Sequence, residues 1–189
     1  GLAAHAFMTT AASCGAAIVT WMLMDVIISG KPTLVGASTG MVAGLVAITP
    51  GAGFVPVWAA VIIGAVVSPL CYMMISFAKK RFGYDDALDA FGCHGIGGMW
   101  GGIATGLFGL SSINSAAEWN GLLFGDWHLF VAQLLSIVIT IAVAVVGTLI
   151  CVAITRIFTP LRVSQREERV GLDISEHNET AYPSFNGLD

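Results

Sequence analysis

The chain has 189 residues, of which 56% are hydrophobic and 11% charged, with a formal net charge of −4. Soluble domains carry about 25% charged residues, so this composition excludes an ordinary soluble fold and points to a polytopic membrane protein. It contains no basic patch interleaved with aromatics, which argues against nucleic acid as a partner.

Five apolar spans are predicted, all helical. The first, Leu2–Ser29, stops at Gly30-Lys31-Pro32, a helix-ending combination. His5 near its start fits an interfacial or inter-helix role better than a ligand role. The second, Thr33–Thr49, is somewhat short and is closed by Pro50-Gly51. The third, Val57–Ala78, ends in Lys79-Lys80-Arg81. The fourth, Ala87–Phe108, is long enough to cross a hydrocarbon core of about 30 Å at about 1.5 Å per residue. Asp86-Ala87-Leu88-Asp89 opens it. Asp86 is expected at the N-cap and Asp89 at the third helical position, where carboxylates satisfy free amides and complement the positive helix end. The fifth span, His128–Phe158, suits a tilted helix or one projecting beyond the bilayer. These boundaries divide the chain into a membrane part, 1–158, and a polar tail, 159–189. Gly1 stands in an apolar context without a charged leader or cleavage site, so the chain reads as the interior of a longer protein.

Charge sets the expected topology. All eight basic residues fall on one side of five alternating crossings: Lys31, Lys79, Lys80, Arg81, Arg156, Arg162, Arg166 and Arg169. The opposite links, Pro50–Pro56 and Gly109–Trp127, contain none. Positively charged links stay inside, so the tail is expected to be cytoplasmic and Gly1 external. Trp119 and Trp127 in the outer link fit an interfacial aromatic belt, and His128 beside them is most simply interfacial. Cys14, Cys71, Cys93 and Cys151 lie in apolar runs without C-x-x-C spacing, and read as small buried hydrophobes. No metal or cofactor is implied.

His94 carries the functional signal. An imidazole at the middle of an apolar span is costly unless it faces a pathway or a buried partner. A neutral histidine bonded to a neighbouring helix is the competing reading. Gly36, Gly40 and Gly44 recur at every fourth position, as do Gly98, Gly102 and Gly106, and such stripes let helix backbones approach closely. Gly40, Gly98 and Gly102 are therefore assigned to packing. Helical geometry also puts Ala90, Gly98 and roughly Gly101 on the face of His94, leaving room for a narrow passage or a close helix.

Three blocks carry a family resemblance. Asp85-Asp86-Ala87-Leu88-Asp89-Ala90-Phe91-Gly92-Cys93-His94-Gly95 resembles the second histidine motif of the ammonium transporter (Amt/Mep/Rh) family. Thr33–Gly40 through Thr49–Gly53 looks like a second family block. Gly171-Leu172-Asp173-Ile174-Ser175-Glu176-His177 is similar to the cytoplasmic tail of the Amt branch. The resemblance implies an all-α fold of eleven spans, built largely from two inverted five-helix repeats and assembled as a homotrimer. This chain then supplies spans seven to eleven and the tail, in the plasma membrane. His94 matches the second of two pore histidines; the first, the aromatic gate and the external recruitment site lie upstream.

The implied activity is transport of ammonium, deprotonated and passed as ammonia through a narrow apolar pore. The alternative is an ammonium sensor relaying pore occupancy to cytoplasmic partners. An intramembrane enzyme is disfavoured, because a lone histidine without an apposed Ser, Cys or acidic pair at membrane depth is not a catalytic set. Gly171, Leu172 and Asp173 are implied to form a regulatory tail packed on its own and a neighbouring subunit. A PII-type nitrogen regulatory protein docks on that surface in many prokaryotic relatives.

Overall fold

The computed structural model describes residues 1–181, and these are helical without strands. They group into two compact units, Gly1–Thr140 and Ile141–Asp189, divided within the last long helix.

In the first unit, α1 (Leu2–Ser29) ends where Gly30 turns left-handed at φ 80° and donates its N–H to Val26. α2 (Leu34–Ile48) is capped by Thr33, whose hydroxyl accepts the Gly36 N–H at 2.9 Å. α3 (Val57–Phe82) contains Pro69 and widens into a π-helical turn at Met74–Ala78. α4 (residues 90–108) starts at Ala90, is π-helical over Phe91–Ile96 and α-helical over Gly97–Phe108. α5 (His128–Phe158) begins in this unit and runs into the second. α1, α3 and α5 are long and apolar enough to cross a membrane.

Close backbone approach holds α1 to α2 and α3. A Cβ on Gly44 would stand 2.6 Å from the Ala17 Cβ, and one on Gly40 would stand 2.6 Å from the Trp21 Cβ. Gly64 of α3 lies directly over the Ser13 backbone. Contacts this close let side chains reach neighbouring carbonyls. Ser13 donates to Gly44 at 2.9 Å, Ser68 to Ala17 at 2.7 Å, and the Trp100 indole to Ile63 at 3.0 Å. Interhelical bonds of this kind satisfy polar groups where lipid offers no partner. The core around them is small-residue and aliphatic: Ala17, Ala43, Ala47, Ala59, Ile63 and Val67 are fully buried or nearly so.

The second unit is the latter part of α5 with the tail. None of the α5 residues is buried within the chain. Ser164 starts α6 (Gln165–Val170) with a reciprocal cap: its N–H donates to Glu167 at 2.7 Å, and its hydroxyl accepts the Glu167 N–H. Those bonds hold the exposed Glu167 carboxyl below the usual range. Gly171 follows at φ 106°, then α7 (Leu172–Ser175). The Asp173 carboxylate folds the chain back on itself by accepting the Ala181 N–H at 3.0 Å, and its carbonyl accepts the Glu179 N–H at 2.9 Å.

The Ala181 bond lowers the Asp173 pKa below its ordinary 3.8. A depressed carboxyl pKa gives stability that is present above the ordinary value and lost as pH falls through the folded value. The 173–181 loop is therefore expected to hold at neutral pH and to loosen only as the pH falls below the ordinary value of 3.8 and through the lowered folded value. Amide exchange at Ala181 measures this; protection unchanged down to pH 2 would contradict it.

Candidate functional site: the open face of α4 around His94

The path to His94 starts at the end of α3. Lys79 donates to the Asp89 carboxylate at 2.7 Å and to the Asp86 carbonyl, tying α3 to the entry of α4. The two Asp86 oxygens accept the Ala90 and Phe91 N–H groups, each at 2.9 Å. Asp86 therefore satisfies free amides at the start of the helix. Its position differs from the expected N-cap: the helix starts at Ala90, and Ala87-Leu88 form a turn that brings the carboxylate beneath the helix end. Asp89 is not a third helical residue. It sits at φ 53°, left-handed backbone that Asp tolerates better than most residues, and serves Lys79 instead.

His94 lies within the π-helical turn, and its side chain is exposed. Among the described residues the imidazole makes no hydrogen bond, so the reading of a histidine bonded to a neighbouring helix of this chain does not hold. One turn on, Gly98 has no atom within 4 Å of a Cβ built on it. The packing role expected for Gly98 is therefore absent within this chain, while Gly40 keeps its role against Trp21. Gly102 meets Ile137 of α5 at 3.2 Å, and Gly106 meets Phe130 at 2.9 Å. Gly101 is buried against the Ala47 backbone of α2, whereas the His94 side chain is exposed. The wider π turn holds more residues than an α turn, which offsets the register that a regular helix would impose.

The open face is thus an imidazole with a bare glycine beside it on a helix without charged side chains. A neutral imidazole offers one N–H donor and one acceptor nitrogen. Such a face can hold a small polar molecule in line, with apolar walls on either side.

Asp25 is a buried carboxylate that the sequence reading did not single out. Its Oδ2 accepts the Thr33 N–H at 3.1 Å and the Thr33 hydroxyl at 2.9 Å, fixing the turn between α1 and α2. The available signal was an acid inside an otherwise apolar run. The His5 Nε2 donates to the Val55 carbonyl at 2.9 Å, an inter-element bond.

Helices of this length and apolarity, packed through glycine and serine, define a polytopic α-helical membrane bundle. Comparison makes the class specific. The profile of the Ammonium Transporter Family matches residues 1–182, and the chain belongs to that family. An ammonium transporter from Bacillus subtilis is 48% identical over 182 residues, covering 96% of this chain and 45% of its own length. Ammonium transporter Amt1 from Archaeoglobus fulgidus is 43% identical over 181 residues, with 96% and 45% covered. Among solved structures, Mep2 from Saccharomyces cerevisiae superposes with a TM-score of 0.78 at 34% identity, over 87% of this chain and 38% of that one. A sensor Amt protein shares the fold at 24% identity with a TM-score of 0.78. The chain spans less than half the length of these relatives.

Proposed function

We propose that the whole protein to which this chain contributes moves ammonium across the plasma membrane, and that His94 lines its pore. The observation that carries this reading is the unpartnered imidazole on the open face of α4, in a chain 48% identical to an ammonium transporter. Moving an intact ammonium ion into an apolar path costs several kcal/mol, whereas neutral ammonia crosses far more cheaply. At the pore entrance the ion hands its proton to a base, either water or the histidine pair, and the ammonia left behind enters the apolar path. His94 then accepts a hydrogen bond from ammonia with one nitrogen and donates to the next molecule with the other. A second histidine, outside this chain, completes the pair and allows proton relay.

The test is uptake of labelled methylammonium by cells expressing the full-length protein, with ammonium as competitor. Saturable uptake suppressed by ammonium is expected. Uptake no greater than in cells lacking the protein would overturn the reading.

The same proposal places Lys31, the Lys79–Asp86 link and the tail in the cytoplasm, and assembles the protein as a homotrimer. Gly171, Leu172 and Asp173 then couple neighbouring subunits, on a surface that suits a PII-type regulator. Supporting this, Gly171 sits at φ 106°, and a Cβ there would lie 2.5 Å from the Asp173 carboxylate. Any side chain strains that turn, and a second carboxylate adds repulsion. Gly171→Asp is expected to silence uptake without unfolding the membrane helices, and to do so dominantly in mixed trimers. Co-expression at varied ratios measures dominance; uptake falling only in proportion to the mutant fraction would show that the tail is a solvated end.

A further inference from the structure

At the end of the first unit remote from its Lys and Arg residues, the 109–127 link and the start of α5 line an open cleft of about 320 Å³. Phe54, Thr105, Glu118, Trp119, Leu129 and Gln133 are among the residues that line it. That volume lies at the lower end of the range for small-molecule sites. It corresponds to roughly ten water molecules, far more than ammonium or ammonia fills.

Its chemistry is that of a cation site. Glu118 makes no ion pair or hydrogen bond among the described residues, although the other acid of the link, Asp126, is engaged by His128 at 2.7 Å. No Lys or Arg stands between Arg81 and Arg156 in the sequence, so the link supplies no basic partner for Glu118. Aromatic surface accompanies the carboxylate: Phe54 on one segment and the Trp119 indole, 39% exposed, on another. Trp119 is not free to swing, because its ring stacks on His128 at 5.7 Å and His128 in turn stacks on Trp127 at 4.2 Å. The link itself is pinned where the Asn120 side chain accepts the Ser111 N–H at 2.9 Å and its hydroxyl at 3.0 Å. A fixed indole, a phenyl ring and a carboxylate unpaired among the described residues line a volume of this size, the combination of charge and aromatic surface that suits an alkylated ammonium group.

We infer that this cleft binds an organic ammonium group, at a site separate from His94, taken from a free amine or from the headgroup of a phosphatidylcholine lipid. Tetramethylammonium is the direct probe, since it has no proton to release and is too bulky for an ammonia path.

The experiment is equilibrium binding of labelled tetramethylammonium to the full-length protein in phosphatidylglycerol nanodiscs. Saturable binding is expected, weakened about tenfold by Glu118→Gln and by Trp119→Leu, and largely kept in Glu118→Asp. Both residues are exposed, so these substitutions leave the helices packed. His94→Ala is expected to bind as the wild type does, which separates this site from the pore and its failure from failure of the transport reading. Repeating the measurement in phosphatidylcholine nanodiscs identifies the source: lost probe binding assigns the cleft to the lipid headgroup, and retained binding assigns it to a free amine. No saturable binding in phosphatidylglycerol, or equal binding in wild type, Glu118→Gln and Trp119→Leu, would overturn the inference.

Discussion

Gly64→Leu is expected to prevent assembly of the bundle. A side chain at this position of α3 enters the Ser13 backbone of α1, and backbone cannot turn aside as a flexible side chain does. The Ser68 hydroxyl bond to Ala17 depends on the same close approach of α3 to α1, so separating these helices also strands a buried hydroxyl. Overpacking costs typically about 1–3 kcal/mol, and each lost buried bond adds about 1–3 kcal/mol. Against a total stability of roughly 5–15 kcal/mol, that is enough to lose the folded protein. Gly40→Leu acts in the same way against Trp21. Size-exclusion profiles and thermal stability in detergent measure the effect; wild-type behaviour of Gly64→Leu would show that α1 and α3 do not pack as described.

Gly98→Leu is expected to do the opposite, keeping the fold and blocking transport. A Cβ at Gly98 touches nothing in this chain, so no contact within it resists the larger side chain. The added leucine stands one turn from His94 and fills the open face. Together with His94→Ala it distinguishes two roles of the face, one steric and one chemical. His94→Ala removes the donor and acceptor but leaves the space, so ammonium flux is expected to fall at least about tenfold, or to change its coupling to protons, while expression stays near normal. Gly98→Leu leaves the imidazole and closes the path. Normal uptake in Gly98→Leu at wild-type expression would place the conduction path elsewhere.

Much of this arrangement was legible in the sequence because local chemistry marked it. Gly30 and Pro32 fixed the end of α1, Thr33 the start of α2, and the long, mostly apolar run 128–158 the whole of α5. The start of α4 was not, since Ala87-Leu88 continue the apolar run and only the backbone reveals the left-handed turn at Asp89. The π-helical turns at Met74–Ala78 and Phe91–Ile96 leave no mark on a pattern read at 3.6 residues per turn, and they decide where His94 points relative to Gly101. Glycine spacing showed that helices approach closely without showing which ones. Gly36, Gly40 and Gly44 meet α1, Gly102 and Gly106 meet α5, and Gly98 meets nothing within the chain. His94 stood out by depth alone; the cleft around Glu118 and Trp119 did not, because it joins segments more than sixty positions apart in the chain, from Pro50 to Glu118.

The central claim is that His94 acts in ammonium conduction, and proteoliposomes test it most directly. Full-length wild type and His94→Ala are incorporated at equal density, and an inward ammonium gradient is imposed while current and internal pH are followed. A clear change in flux, current or both is expected for His94→Ala, with the amount of incorporated protein unchanged. Identical flux and current across the whole range of ammonium concentrations would contradict it.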